Sequence, residues 1–244
     1  MSKLLRLVTV TAALTITASV ASAAGLNFAW NDCPSGGGVQ NKTFACASNA
    51  GTNTLVGSFI PPVGVSAATG IEVVVDLLTA GPAYSDWWAF RNVGTCRQTA
   101  LSANADFTGG PSNCTDYFVG AASGGLTNFE SGFSGTANRA RIKALWAVPP
   151  ANAGPLDSGT EYYAFKLNIS NAKTVGTGAC TGCADNVCLV LNMIKVTQPA
   201  GVGNFDITDE ATSRIATWQA EIAGTCLPVP ARNRTWGSVK ALYR

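Results

Sequence analysis

The chain contains no histidine. That excludes Ser-His-Asp and Cys-His nucleophile activation, His-ligated zinc and the HExxH pattern, and the commonest general base near neutral pH. Charge is scarce as well: 12% of residues are Asp, Glu, Lys or Arg, in nearly balanced numbers. A near-neutral protein has no global field to steer it onto nucleic acid or anionic lipid. No GxxxxGK[ST] or GxGxxG stands between a strand and a helix, so nucleotide binding has no support. Amphipathic helices of ordinary length are missing before Cys226, and strand-like runs do not alternate with helical ones. This argues against a parallel α/β fold.

What is present begins with an export signal. Lys3 and Arg6 form a positive n-region, residues 7–20 an apolar run, and Ala21-Ser22-Ala23 a small-x-small cleavage site. The run is about 14 residues, short of the roughly 20 that span a bilayer. No later stretch is long and apolar enough to span. Residues 1–23 therefore read as a signal peptide, and the mature chain as secreted, periplasmic or surface-associated. Cleavage removes two bases and no acid, leaving 14 of each.

Eight cysteines follow: Cys33, Cys46, Cys96, Cys114, Cys180, Cys183, Cys188 and Cys226. An even count in an oxidising compartment predicts four disulfides. Eight cysteines allow 105 pairings. Proximity in sequence suggests Cys33–Cys46 and Cys96–Cys114, with the last four pairing among themselves. The rival reading makes those four a thiolate zinc site, but the second half lacks a paired CxxC.

Strand-like runs recur between turn signals at 54–60, 71–78, 86–91, 139–148, 161–169, 187–197, 205–208 and 214–219. In 139–148, Ala140, Ile142, Ala144, Trp146 and Val148 face one side, and Arg139, Arg141 and Lys143 the other. Period-2 alternation with one polar face is the pattern of antiparallel strands over a single core. Residues 98–138 are rich in Gly, Ser and Asn and read as a long loop. The expected fold is all-β: an antiparallel β-sandwich (jelly-roll or immunoglobulin-like), stapled by disulfides, with a short C-terminal helical tail. The organisation is signal peptide 1–23, β-sandwich domain 24–226, and linker plus basic amphipathic tail 227–244. In the tail, Thr235 caps one short helix that places Trp236, Val239 and Tyr243 on one face. The tail reads as a segment docked on its own domain or as a sorting tag.

Carboxylates are the remaining route to catalysis. Glu72 and Asp76 share a strand face roughly 13 Å apart at about 3.3 Å per residue, wider than the roughly 5–9.5 Å of glycosidase pairs. Cross-strand ion pairs with Arg139, Arg141 or Lys143 are the plainer role, and Asp86 is a further acid. The acidic turns 157–161 and 206–210 offer oxygen ligands for a structural calcium, without EF-hand spacing. No cofactor is otherwise indicated. The aromatic pairs are the best binding feature: Trp87-Trp88 beside Asp86, and Tyr162-Tyr163. On a strand, neighbours face opposite ways, so one Trp enters the core while the other meets solvent and stacks on a sugar ring.

Several phrases together are distinctive: Trp30-Asn-Asp-Cys33, Asn41-Lys-Thr-Phe-Ala-Cys46, Asn138-Arg-Ala-Arg-Ile142, Thr160-Glu-Tyr-Tyr163, Lys173-Thr-Val-Gly-Thr-Gly178, Cys188-Leu-Val-Leu-Asn192 with Lys195-Val-Thr-Gln198, and the closing Thr235-Trp-Gly-Ser-Val-Lys-Ala-Leu-Tyr-Arg244. In these the chain resembles a family of uncharacterised exported bacterial proteins. The resemblance implies bacterial export and brings no activity, substrate or functional residue.

The preferred reading is a non-enzymatic extracytoplasmic β-sandwich that binds a glycan or surface component through Trp87, Trp88, Tyr162 and Asp86. The leading alternative is a polysaccharide hydrolase using Glu72, Asp76 or Asp86. The third is a structural subunit of a surface assembly.

Overall fold

The computed structural model describes residues 23–90, 93–219 and 226. The predicted signal peptide and C-terminal tail lie outside the described residues. Eleven strands are described: β1 (Gly25–Trp30), β2 (Asn41–Lys42), β3 (Thr52–Ile60), β4 (Gly70–Thr79), β5 (Leu101–Asn104), β6 (Ser123–Ser131), β7 (Arg139–Ala147), β8 (Tyr162–Ser170), β9 (Val187–Thr197), β10 (Phe205–Ile207) and β11 (Ile215–Trp218). The protein is all-β, and no helix among the described residues reaches seven residues or is long and apolar enough to cross a membrane.

The strands form two sheets. Sheet A runs β1-β3-β8-β5, and sheet B runs β2-β11-β9-β4-β7-β6, with β10 also paired to β9. Strand neighbours are antiparallel except β2 and β11, which are parallel. One buried cluster joins the inner faces of both sheets. Phe165 of β8 stacks on Trp146 of β7 across it, with ring centroids 5.8 Å apart. The alternation read in β7 holds: Ala140, Ile142, Ala144 and Trp146 are buried, and Arg139, Arg141 and Lys143 lie on the outer face. Such alternation is what a strand requires when one face meets the core and the other meets water.

Three expectations are corrected. Residues 98–138 are not one loop but contain β5 and β6. Residues 86–88 form a 3-10 turn rather than a strand. The four disulfides are Cys33–Cys114, Cys46–Cys183, Cys96–Cys180 and Cys188–Cys226, so neither short-range pairing forms. The physical reason is topological. Cys33 follows β1 of sheet A, whereas Cys46 follows β2 of sheet B. Neighbours in sequence thus belong to different layers, and the bridges join segments far apart in the chain.

Candidate functional site

Trp87 and Trp88 sit in the 3-10 turn, and both are fully buried. Neither indole meets solvent, contrary to the strand-based expectation, because a 3-10 turn does not alternate its side chains as a strand does. Instead they belong to an aromatic cluster. Trp218 lies 4.9 Å from Trp87 and 5.4 Å from Trp88, and Phe44 stacks on Trp218 at 3.7 Å. The indole N–H groups reach outward to fix a loop: Trp87 Nε1 donates to Thr174 Oγ1, and Trp88 Nε1 to the Gly182 carbonyl. The Arg97 guanidinium lies 3.5 Å above the Trp87 ring and donates to the carbonyls of Trp87 and Ser170. Burial pushes Arg97 down to about 10. Tyr162 is buried too, its hydroxyl accepting the Asp157 N–H. Of the expected ligand contacts, only Asp86 is exposed.

A cleft of about 500 Å³ lies close by in the chain, and neither tryptophan lines it. One wall is the loop 80–83 after β4, and the other is the segment 184–186 before β9. Asp185 and Asn186 are exposed on its rim, and Thr79 lies at its base. The Trp87 backbone N–H donates to the Thr181 carbonyl, tying the turn to the loop that leads into the second wall. Sequence reasoning singled out the turn but missed these wall residues. Asp185-Asn186 beside the CxxC was the available signal.

Several carboxylates are engaged. Asp76 receives Arg141 Nε at 2.6 Å and Nη2 at 2.8 Å, the cross-strand pair expected from register. Glu72 pairs with Lys195 of β9 at 3.5 Å, rather than with a β7 base. Asp32 and Glu161 are the most enclosed by donors. Asp32 accepts from Tyr163 Oη at 2.5 Å, the Cys33 N–H at 2.7 Å and Asn113 Nδ2 at 2.6 Å. Glu161 accepts from Asn27 Nδ2 and Ser58 Oγ at 2.7 Å and from Ser35 Oγ at 2.6 Å. These bonds pin the 34–36 turn to sheet A. Tyr163 is pushed up to about 12, first by burial and then by its bond to the Asp32 carboxylate.

The rival metal-ligand sets weighed from the sequence are taken up by other bonds. Cys180, Cys183, Cys188 and Cys226 are each bonded to another sulfur, so they offer no thiolates for zinc. Cys33, Cys114 and Glu161 come within 4.8 Å of one another, but the two sulfurs are bonded together. In the 157–161 turn, Asp157 accepts the Gly159 N–H and Thr160 Oγ1, which hold its carboxyl below the usual range. Glu161 points elsewhere, so the turn's acids do not converge. Asp206 of the second acidic turn lies 3.9 Å from Lys195.

No protein-family model matches the chain, and no curated protein is similar to it at a significant level.

Proposed function

We propose that the protein is a non-enzymatic extracytoplasmic binding protein of a bacterium, exported by residues 1–23, whose ligand is a glycan or glycan-bearing surface component. Four disulfides favour an oxidising compartment. The observation that supports the non-catalytic part is the engagement of three acids, Asp32, Asp76 and Glu161, in the fold. Asp76 gives both oxygens to Arg141, and Asp32 and Glu161 each accept three hydrogen bonds. A general acid or base must be reachable by the proton it moves, and these groups are spent on the fold. The contact site is the cleft between the loop 80–83 and the segment 184–186. The Asp185 carboxylate and Asn186 amide supply the acceptors and donors that sugar hydroxyls use.

A structural subunit is the second reading, favoured by β6. Among the described residues this nine-residue strand ends sheet B with β7 as its one strand partner. A bulge at Thr127 and the charge of Glu130 blunt that edge, so this reading ranks behind. The test is a polysaccharide screen of the purified exported protein, read for both retention and product release. Retention without release is expected, and Asp185→Ala with Asn186→Ala abolishes retention of short oligosaccharides. Release of product overturns the non-enzymatic assignment. No retention on any glycan overturns the reading as a whole.

A further inference from the structure

The outer face of sheet A is divided in two. On one half, Asn27, Val56, Ser58 and Tyr163 are buried beneath the segment pinned by Cys33–Cys114, with the Phe107 ring stacked on Tyr163 at 4.2 Å. The covering stops at the Val56–Lys166 row. Beyond it the face is open. Thr54, Asn168 and Ser102 form one row across β3, β8 and β5, and Thr52 and Ser170 begin the next. All five are exposed or half-exposed. Strands lie about 4.8 Å apart, and same-face residues along a strand about 6.6 Å apart. The result is a grid of hydroxyls and amides.

The bonding in this grid is incomplete. Thr54 Oγ1 donates to Asn168 Oδ1 at 3.0 Å. Asn168 Nδ2 and the hydroxyls of Ser102, Thr52 and Ser170 have no protein partner among the described residues. The strand residues of this face are also uncharged apart from Lys166, whose ammonium donates to the Gly110 carbonyl, lies 4.8 Å from the Phe107 ring and attracts the exposed Asp106 carboxylate beside it. The outer face of sheet B contrasts with it, since Asp76–Arg141, Glu72–Lys195 and Glu130–Lys143 ion pairs lie there. A charged polymer finds no counter-charge on this face except Lys166, which the Gly110 carbonyl and the Phe107 ring already engage. A protein partner finds no aromatic or Arg anchor of the kind that dominates protein interfaces. A neutral chain dense in hydroxyls finds donors and acceptors at successive strands.

The geometry points to the Thr54–Asn168–Ser102 face as a second binding surface, which lays a neutral polysaccharide chain across β3, β8 and β5. This inference rests on the glycan reading but uses a site separate from the cleft. The cleft takes a short, soluble oligosaccharide, and the grid supplies adhesion to the extended polymer.

The test is depletion of the exported protein by crystalline cellulose, chitin and insoluble β-1,3-glucan, with dextran sulfate as a charged control. The unmodified protein is retained by at least one neutral polymer and not preferentially by dextran sulfate. Asn168→Ala with Ser102→Ala weakens that retention about tenfold, as expected for a few lost hydrogen bonds, and leaves soluble-oligosaccharide binding unchanged. Ser102→Lys, at an exposed position on the short edge strand, has the same effect without disturbing the core. If both variants are retained like the unmodified protein, while Asp185→Ala with Asn186→Ala is not, the inference falls and the glycan reading stands. Preference for dextran sulfate also overturns it. If the unmodified protein is retained by no polymer and binds no oligosaccharide, the glycan reading itself fails.

Discussion

The Asp76 carboxylate is 4% exposed and meets Arg141 through two parallel hydrogen bonds, while the guanidinium keeps some contact with water and packs 3.5 Å from the Phe133 ring. Removing one partner of such a pair leaves the other's charge poorly solvated. Arg141→Ala therefore costs about 2–3 kcal/mol in chemical denaturation, less than for a fully buried pair. Asp76→Leu combined with Arg141→Met recovers most of that loss, and a double-mutant cycle measures the coupling. Tyr163 supplies a pH dependence. Its folded-state pKa is about 12, against about 10 in an unfolded chain. The folded state then holds the proton more tightly, so its contribution is complete below pH 10 and is lost as pH rises towards 12. Thermal melts between pH 9 and 12 fall more steeply for the unmodified protein than for Tyr163→Phe; parallel slopes would refute the assignment. Much of this scale was legible beforehand. Glu72 and Asp76 read as ion-pair formers from their strand face, but Lys195 as the partner of Glu72 depends on which strand lies on β4's other side.

Element by element, legibility followed side-chain pattern. β4, β7, β8 and β9 announce themselves because alternating or β-branched apolar residues must enter a core. β5 and β6 are Ser-, Gly- and Asn-rich, with burial confined mainly to Leu101 and Phe129. Their pairing is imposed by β8 and β7 rather than by intrinsic preference, and such tertiary override leaves little trace in sequence. The tryptophan turn failed in the opposite sense. Trp87-Trp88-Ala-Phe90 has strand-like composition, yet the aromatic cluster and the Thr181 carbonyl hold it as a turn. Trp87→Ala accordingly costs about 3–5 kcal/mol through cavity formation and strips Arg97 of its ring. A thermal melt checks it; a loss under 1 kcal/mol would show the cluster to be loosely packed. Gly57 tests the sheet A register. A methyl group there would enter the Phe165 ring, which is already stacked on Trp146. Gly57→Ala should cost about 1–3 kcal/mol by overpacking, whereas Gly125→Ala, with open space around it, should not destabilise through a clash.

Across the whole molecule the cross-links form a network whose members are not independent. Oxidation of all eight cysteines was legible from their number and setting, but the pairing was not, because it depends on which loops the two sheets bring together. Cys46–Cys183 closes the longest stretch, 137 residues, against 38 for Cys188–Cys226. Loop length alone would make the first more stabilising by about 1 kcal/mol. The other bridges cancel that advantage. With Cys33–Cys114 and Cys96–Cys180 intact, a covalent path runs from Cys46 back to Cys33, across to Cys114, back to Cys96, across to Cys180 and on to Cys183. That path crosses only about 34 residues, so the unfolded chain is already confined when Cys46–Cys183 forms. Replacing Cys46 and Cys183 by Ala in the intact protein should thus cost nearly the same loop entropy as replacing Cys188 and Cys226. In a background that already lacks Cys33–Cys114 and Cys96–Cys180, the path lengthens to the full 137 residues. Losing Cys46–Cys183 there should cost about 1 kcal/mol more, while the cost of losing Cys188–Cys226 stays the same. Denaturant titrations of the Cys46/Cys183 and Cys188/Cys226 alanine-pair variants in both backgrounds measure this, and strict additivity for Cys46–Cys183 would mean that its contribution comes from native-state contacts rather than from chain confinement.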